Sequence, residues 1–376
     1  MRLLAYGDIG GSGGYVQYCR GILGNGAIPE DFEVYFVCSE EFYNKIKPLD
    51  ANLKVITHTW LSSKFFLKRY LWHLYIYPKI VRQVKPDIEF YPSGKLRVYL
   101  RKAITVAFSA NLLLFEEGEL SRYKGTAVYK TLLGYRSSYI KYLKNSSAVI
   151  FTSDYSRKVI MNQLQKTGLN TVIPNGFNPD SNIPAPRSYE LGKIVNILYV
   201  STIMFYKHQS EVVRALKIVR AKSCLDVRLI LIGQAARLEL SLLKDVIHSE
   251  GLEDYVDIRE EVKHEDLLQE YKRADLFIFA SSCEAGSVAL VESMGAGLPI
   301  ACSERSGLSE QLKDAGTYFD PEKPSSIADA LLSLISSKEK RQECGQKANK
   351  YSQEYTWKHC AEKTFDFIRS VYENRK

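Results

Sequence analysis

A chain of 376 residues is too long for one ordinary hydrophobic core and fits two domains of roughly 100–200 residues each. Its 45% hydrophobic and 25% charged residues are those of a globular protein, and no apolar run approaches the roughly 18–20 residues that span a bilayer, which excludes an integral helical membrane protein. The net charge of +8 is uneven, because residues 1–190 carry 25 Lys and Arg against 15 Asp and Glu, whereas the remainder carries 26 against 28.

The chain opens on MRLLAYGDIGG, strand-like sequence without the longer apolar region and small-residue cleavage site of a signal peptide, so a cytoplasmic protein is expected. Apolar runs suited to strands follow at 2–6, 33–38, 53–58, 87–92, 103–109, 148–153 and 171–174. Between them lie helix-period segments, YVQYCRGIL, KFFLKRYLWHLYIYPKIVRQV, YKTLLGYRSSYIKYLK and SRKVIMNQLQK. Continuous apolar strands separated by helices imply a parallel sheet covered on both faces, a doubly wound α/β domain. From 175 to 192 the texture turns to NGFNPDSNIPAPRSYELG, the composition of a linker. The alternation then restarts with strands at 196–201, 227–233, 255–259, 275–281, 299–303 and 317–321, and a last helix is expected over 355–373. Two α/β domains joined by a linker offer a cleft between the carboxyl edges of two sheets.

The positive excess gathers in 62–85 and 95–102, where basic residues alternate with aromatic ones. Such a face can lie on an anionic membrane, and the alternative is a solvated helix face with core aromatics. No recognised nucleic-acid motif accompanies the charge, so no nucleic-acid partner is expected. The seven cysteines, at 19, 38, 224, 283, 302, 344 and 360, are too widely spaced for metal or redox motifs, and no metal or cofactor is expected.

Two stretches carry chemistry. GDIGGSGGYVQ (7–17) follows the first strand, but Val16 stands where a dinucleotide fingerprint needs its third glycine. What remains is a loop whose N–H groups and helix start can face an anion or a sugar hydroxyl, or a tight turn with no ligand. DLFIFASSCEAGSVALVESMGAGLP (275–299) reads as a buried strand, a polar turn holding Glu284, and a helix opened by Gly286 and Ser287 and carrying Glu292. Helical spacing separates these carboxylates by up to about 12 Å, beyond the 5–9.5 Å of a glycosidase pair, so they grip different parts of one long ligand. The N–H groups around Ser287 and Val288 would face phosphates between the two grips.

The E-x7-E block, with SGLSEQL, AGTYFDP, IPNGFNP (173–179), ILYVSTIMFYKHQ (197–209), LILIGQ (229–234) and GGSGGYVQ, closely resembles the nucleotide-sugar-dependent glycosyltransferases of family 4. The resemblance implies the GT-B fold: a Rossmann-like acceptor-binding domain over 1–180, a Rossmann-like donor-binding domain over 181–355, and a helix over 356–376 packing back on the first. It implies a retaining transfer of a hexose or deoxyhexose from a nucleoside diphosphate, without metal, to a glycan acceptor of bacterial surface polysaccharide, lipid-linked if the basic face binds membrane. By the same resemblance Glu284 contacts the donor sugar, Glu292 holds the ribose and Lys207 neutralises the diphosphate. Ala285, Gly286, Ser287, Val288 and Ala289 line the sugar, and Gly13 and Gly14 close over the phosphates.

The chain departs from that pattern twice. Thr202 stands where many relatives carry an arginine five residues before the lysine, and Ala110 and Asn111 stand where relatives often place a histidine. Phosphate binding then rests more on Lys207 and helix dipoles, and Asn111, Glu116, Glu117 or Glu119 must help position the sugar or acceptor. Two rival readings are a nucleotide-sugar epimerase, which needs no acceptor, and a non-catalytic sugar-nucleotide-binding protein.

Overall fold

The computed structural model describes residues 1–7, 13–24, 26–63, 65–92, 104–165, 168–179, 187–260 and 262–374, without the side chains of Phe66, His264 and Glu265. The central residues of the first glycine loop, 8–12, and the basic stretch 95–102 therefore lie outside the described residues. The chain divides into two compact units, Met1–Gly176 with Trp357–Lys376, and Phe177–Thr356.

The first unit runs β1 (Arg2–Tyr6), α1 (Gly13–Leu23), β2 (Glu33–Cys38), α2 (Glu40–Ile46), β3 (Lys54–Thr57), α3 (Phe66–Leu71), α4 (Tyr77–Val84), β4 (Ile88–Tyr91), β5 (Ile104–Ser109), α5 (Glu117–Ser121), α6 (Ala127–Asn145), β6 (Ala148–Phe151), α7 (Asp154–Leu164) and β7 (Leu169–Val172). Its seven strands are parallel, in the order β3-β2-β1-β4-β5-β6-β7. Serine and threonine hydroxyls start three of the helices, Ser39 accepting from Phe42 N, Thr126 from Tyr129 N and Ser153 from Ser156 N.

KFFLKRYLWHLYIYPKIVRQV has the period of one helix, but the structure divides it. Between α3 and α4 lies a π-helical turn, Trp72–Ile76. Pro78 sits at the start of α4, and its ring and missing N–H cannot continue the preceding turn of an α-helix.

The second unit runs β8 (Ile194–Val200), a 3₁₀ turn (Phe205–Lys207), α8 (Gln209–Lys222), β9 (Asp226–Ile232), α9 (Arg237–Glu250), β10 (Val256–Arg259), α10 (His264–Arg273), β11 (Leu276–Phe279), α11 (Val288–Gly295), β12 (Ile300–Ser303), α12 (Leu308–Leu312), β13 (Gly316–Phe319), α13 (Pro324–Ser336) and α14 (Lys338–Ser352). Its six strands are parallel, ordered β10-β9-β8-β11-β12-β13. β11 is buried at every position, as a central parallel strand covered on both faces must be. Strand order reverses between β8 and β11, and ligands of open α/β sheets bind beyond the carboxyl ends of the strands at such a reversal.

After α14 the chain returns to the first unit as α15 (Trp357–Glu373), packed on α1. Arg369 of α15 holds Asp31 at 3.0 Å, and Phe365 meets the Phe32 ring edge-on at 5.0 Å. Gly21 of α1 lies so close to the Trp357 indole that a Cβ there would collide with it. No described helix is long and apolar enough to cross a membrane.

Candidate functional site

The carboxyl ends of β8 and β11 bring together two of the charged residues singled out in the second unit, Lys207 and Glu284, while Glu292 lies apart from that contact, buried against Tyr271. After β8 the chain turns through the 3₁₀ helix that ends on Lys207, and after β11 it runs through 280–287 into α11. Lys207 Nζ donates to Glu284 Oε1, with the two side chains only 9% and 13% exposed. The ammonium also lies 5.2 Å from the centre of the Tyr206 ring and 5.3 Å from that of Phe279. An ammonium with aromatic rings nearby and one carboxylate partner is held in place and incompletely hydrated, so its field acts strongly on any anion entering beside it.

Backbone contacts fix both partners. The Lys207 carbonyl accepts from Tyr199 OH at 2.6 Å, and Glu284 N donates to Ser306 Oγ at 3.1 Å. His208 follows Lys207 in the left-handed region at φ 52°, a conformation that costs a side-chain-bearing residue free energy. A 2.8 Å hydrogen bond between its Nε2 and Ser282 Oγ holds it there, while Ser282 N donates to the Tyr206 carbonyl at 2.9 Å. The segments after β8 and β11 are thus tied together at His208–Ser282 and again at Lys207–Glu284. Gly233, at the end of β9, has φ 148°, and a Cβ there would strike the Ser201 carbonyl, so glycine lets that loop approach the end of β8.

Ser287 caps α11, its hydroxyl accepting from Leu290 N at 3.2 Å. Its own N–H, however, donates to Gln311 Oε1 at 2.9 Å. Ser287 N–H, one of the groups expected to face a phosphate, thus has an internal partner in this structure, while Gly286, Val288 and Ala289 are half-buried and Ala285 is buried. Glu292 is buried in α11 and accepts from Tyr271 OH at 3.0 Å. Burial pushes its carboxyl up to about 7, against the Tyr271 hydrogen bond, which lowers it. Thr202 joins the site through its carbonyl, which accepts from Gln209 Nε2 at 2.9 Å.

The first-unit residues are placed separately. Gly13 and Gly14 are the first residues of α1 and stand exposed, and beyond the helix's own backbone no atom of the described residues lies within 4 Å of an added Cβ. Asn111 follows β5 and is exposed. Of the carboxylates near it, Glu119 is buried and paired with Arg122 at 2.6 Å, Glu117 pairs with Arg136 at 3.3 Å, and Glu116 accepts from Tyr155 OH at 2.6 Å. Glu119 and Glu116 hold local structure, while Asn111 and Glu117, whose side chain is 78% exposed, remain open to solvent. Sequence reasoning missed Tyr271, His208, Ser282 and Gln311, which reach the site from four separate places in the chain. Only adjacence to Lys207 could have flagged His208. No group of described residues has the ligand set of a metal ion.

Residues 188–351 match the family model described as Glycosyl transferases group 1, so the second unit is built around a glycosyl transferase group 1 domain. The chain is 26% identical over 179 residues to a D-inositol 3-phosphate glycosyltransferase of Paenarthrobacter aurescens, covering 47% of this chain and 44% of that one. It is 23% identical over 234 residues to the O-antigen chain mannosyltransferase B of Escherichia coli, covering 60% and 61%. The match thus spans between 44% and 61% of the length of these relatives. Over 98% of this chain and 100% of the other, the fold matches HepE of Anabaena, solved in complex with UDP and glucose, with TM-score 0.75 and 18% identity. The two parallel α/β units are those of the GT-B fold.

Proposed function

From a glycosyl transferase group 1 domain set in a GT-B fold, we propose that the protein is a retaining glycosyltransferase of family 4. It moves a hexose or deoxyhexose from a nucleoside diphosphate to a hydroxyl of a glycan acceptor in bacterial surface-polysaccharide synthesis. The observation that carries this reading is the buried contact of Lys207 with Glu284 at the strand-order reversal, with Glu292 eight residues further on. The acceptor class is supported by the likeness to the O-antigen mannosyltransferase.

The chemistry follows from the groups present. As the glycosidic bond to phosphate breaks, negative charge accumulates on the leaving diphosphate, and the Lys207 ammonium stabilises it more in the transition state than in the ground state. Glu284 holds Lys207 in position before the donor arrives and accepts hydrogen bonds from sugar hydroxyls once the ammonium turns to phosphate. The Glu292 carboxylate accepts a hydrogen bond from each hydroxyl of the ribose diol. Thr202 Oγ1 and the N–H groups of Gly286 and Val288 add neutral contacts to phosphate and sugar, with Ala285, Ser287 and Ala289 shaping the pocket. No metal is required, because lysine and backbone donors carry the leaving-group charge. With Glu284 engaged by the sugar, the acceptor enters on the face that the phosphate leaves, and the departing phosphate takes its proton. Asn111 positions sugar or acceptor, and Gly13 and Gly14 approach the donor phosphates. The basic aromatic segment 62–102 gives peripheral contact with the inner face of the cell membrane, which suits a lipid-linked acceptor.

A thermal-shift screen against UDP-, GDP-, dTDP- and ADP-sugars identifies the donor, since a ligand at 100 times its Kd adds roughly 2.7 kcal/mol of stability. The matching donor is then consumed only when a glycan acceptor is present. A change of sugar stereochemistry on the nucleotide without acceptor overturns the transferase in favour of an epimerase.

A further inference from the structure

Two stretches of the first unit are free of acidic residues: 55–86 holds six Lys and Arg with no Asp or Glu, and 120–153 does the same. They also carry eight of the twelve large apolar side chains that stand exposed among the described residues. Phe65, Leu67, Tyr70, Leu74 and Tyr75 belong to the α3–α4 segment, with Phe65 72% and Tyr75 66% exposed, and Val128, Leu133 and Tyr135 belong to α6. A solvated helix face does not concentrate exposed aromatic rings in this way.

The two stretches lie on one side of the sheet. The crossings from β3 to β4 and from β5 to β6 step across it in the same direction, whereas β1 to β2 to β3 steps the other way. Right-handed connections then place α4 and α6 on one face and α1 and α2 on the other. Side chains join them at the end of β4: Tyr77 OH of α4 is 3.1 Å from Tyr91 OH, and Tyr142 OH of α6 donates to the Tyr91 carbonyl at 3.0 Å. The fully buried residues of α6 are Tyr139, Tyr142 and Leu143, and its first three turns are only half-buried at Tyr129, Leu132 and Arg136 and exposed at Val128, Leu133 and Tyr135. Arg136 and Arg122 are paired with Glu117 and Glu119 of α5, and the face remains strongly basic.

A second copy of the chain would set cations against cations on this face, and a neutral apolar partner would leave them without counter-charge. An anionic bilayer offers both what the lysines and arginines need and an interface in which tyrosine and phenylalanine rings reside. We propose that the α3–α4 segment and the first three turns of α6 form one docking surface for an anionic lipid bilayer. This adds α6 to the contact through 62–102 and rests on the membrane part of that reading, not on the sugar transferred.

The test is sedimentation of the full chain with vesicles of phosphatidylcholine alone or mixed with phosphatidylglycerol, which needs no turnover. Three forms are compared: wild type, Val128→Ser/Leu133→Ser/Tyr135→Ser, and Phe65→Ser/Leu67→Ser/Tyr75→Ser. The wild type binds only the anionic vesicles and is released by about 0.5 M NaCl. Each triple variant binds roughly tenfold or more weakly, while melting temperature and donor affinity are kept because the replaced side chains are exposed and outside the second unit. Three results overturn the proposal: no binding of wild type to anionic vesicles at low salt, unweakened binding by the α6 variant, or a wild-type dimer that the α6 variant converts to monomer. Failure here leaves the transferase reading standing, since donor binding and transfer to a soluble glycan are measured apart from lipid.

Discussion

Lys207 Nζ and Glu284 Oε1 touch although they lie 77 residues apart and follow different strands, β8 and β11. Removing Lys207 as Lys207→Met leaves a buried carboxylate without its partner and should cost about 1–3 kcal/mol of stability. It should also lower kcat/KM by about 100-fold or more, the effect of losing one preorganised stabiliser of developing charge. The double variant Lys207→Met/Glu284→Gln should recover melting temperature but not transfer. Calorimetry beside steady-state kinetics separates the two roles.

The proposed hold of Glu292 on the donor ribose makes donor affinity depend on pH. Its folded carboxyl titrates near 7, above the ordinary carboxylate range, because burial disfavours the charge. Its contribution to stability is therefore full at acid pH and is lost as pH rises through about 7. Donor binding has the opposite dependence, since only the carboxylate accepts two ribose hydrogen bonds, and nucleotide affinity should rise between pH 6 and pH 8. Glu292→Gln should flatten that profile, and Tyr271→Phe, which removes a hydrogen bond to the carboxylate, should move it to higher pH. Titration calorimetry with the nucleoside diphosphate across this range gives the answer.

Gly13 offers a test without a packing penalty. An added Cβ meets nothing within 4 Å among the described residues outside the helix's own backbone, and Gly13 opens α1, where alanine keeps a helical backbone, so Gly13→Ala should leave melting unchanged or slightly raised. If Gly13 approaches the donor phosphates, kcat falls while donor affinity in the second unit holds. Unchanged kcat removes Gly13 from the site.

Gly21 behaves in the reverse way. Gly21→Ala drives a Cβ into the Trp357 indole and should destabilise the first unit by about 1–3 kcal/mol through overpacking. Hydrogen exchange should show α15 losing protection with α1, whereas an unchanged melting curve would mean that α15 yields without cost.

The strand pattern was legible because buried parallel strands are continuous apolar runs. Each of the runs named in the sequence has a strand within it or shifted by a residue or two; 2–6 and 33–38 coincide with β1 and β2. The π turn at Trp72–Ile76 was not, since periodicity alone continues through it and only Pro78 marks the break. At the candidate site, the E-x7-E spacing exposed Glu284 and Glu292 because both lie on one strand–turn–helix segment. Their fixing partners were hidden for the opposite reason: Tyr271 reaches Glu292 from α10, and Ser282 meets His208 across 74 residues. A contact formed by the parallel sheet's crossover connections leaves no spacing in the sequence.

Acceptor-dependent sugar transfer at the Lys207–Glu284 pair is the proposed activity. It is tested most directly by following donor and acceptor together, by chromatography and anomeric NMR, for wild type and Glu284→Ala. The wild type should release nucleoside diphosphate only with a glycan acceptor and form a linkage of the donor's own anomeric configuration, and Glu284→Ala should lose this turnover while remaining folded. Turnover by Glu284→Ala at the wild-type rate, or sugar conversion without acceptor, would remove the Lys207–Glu284 pair from the reaction or the transferase activity from the protein.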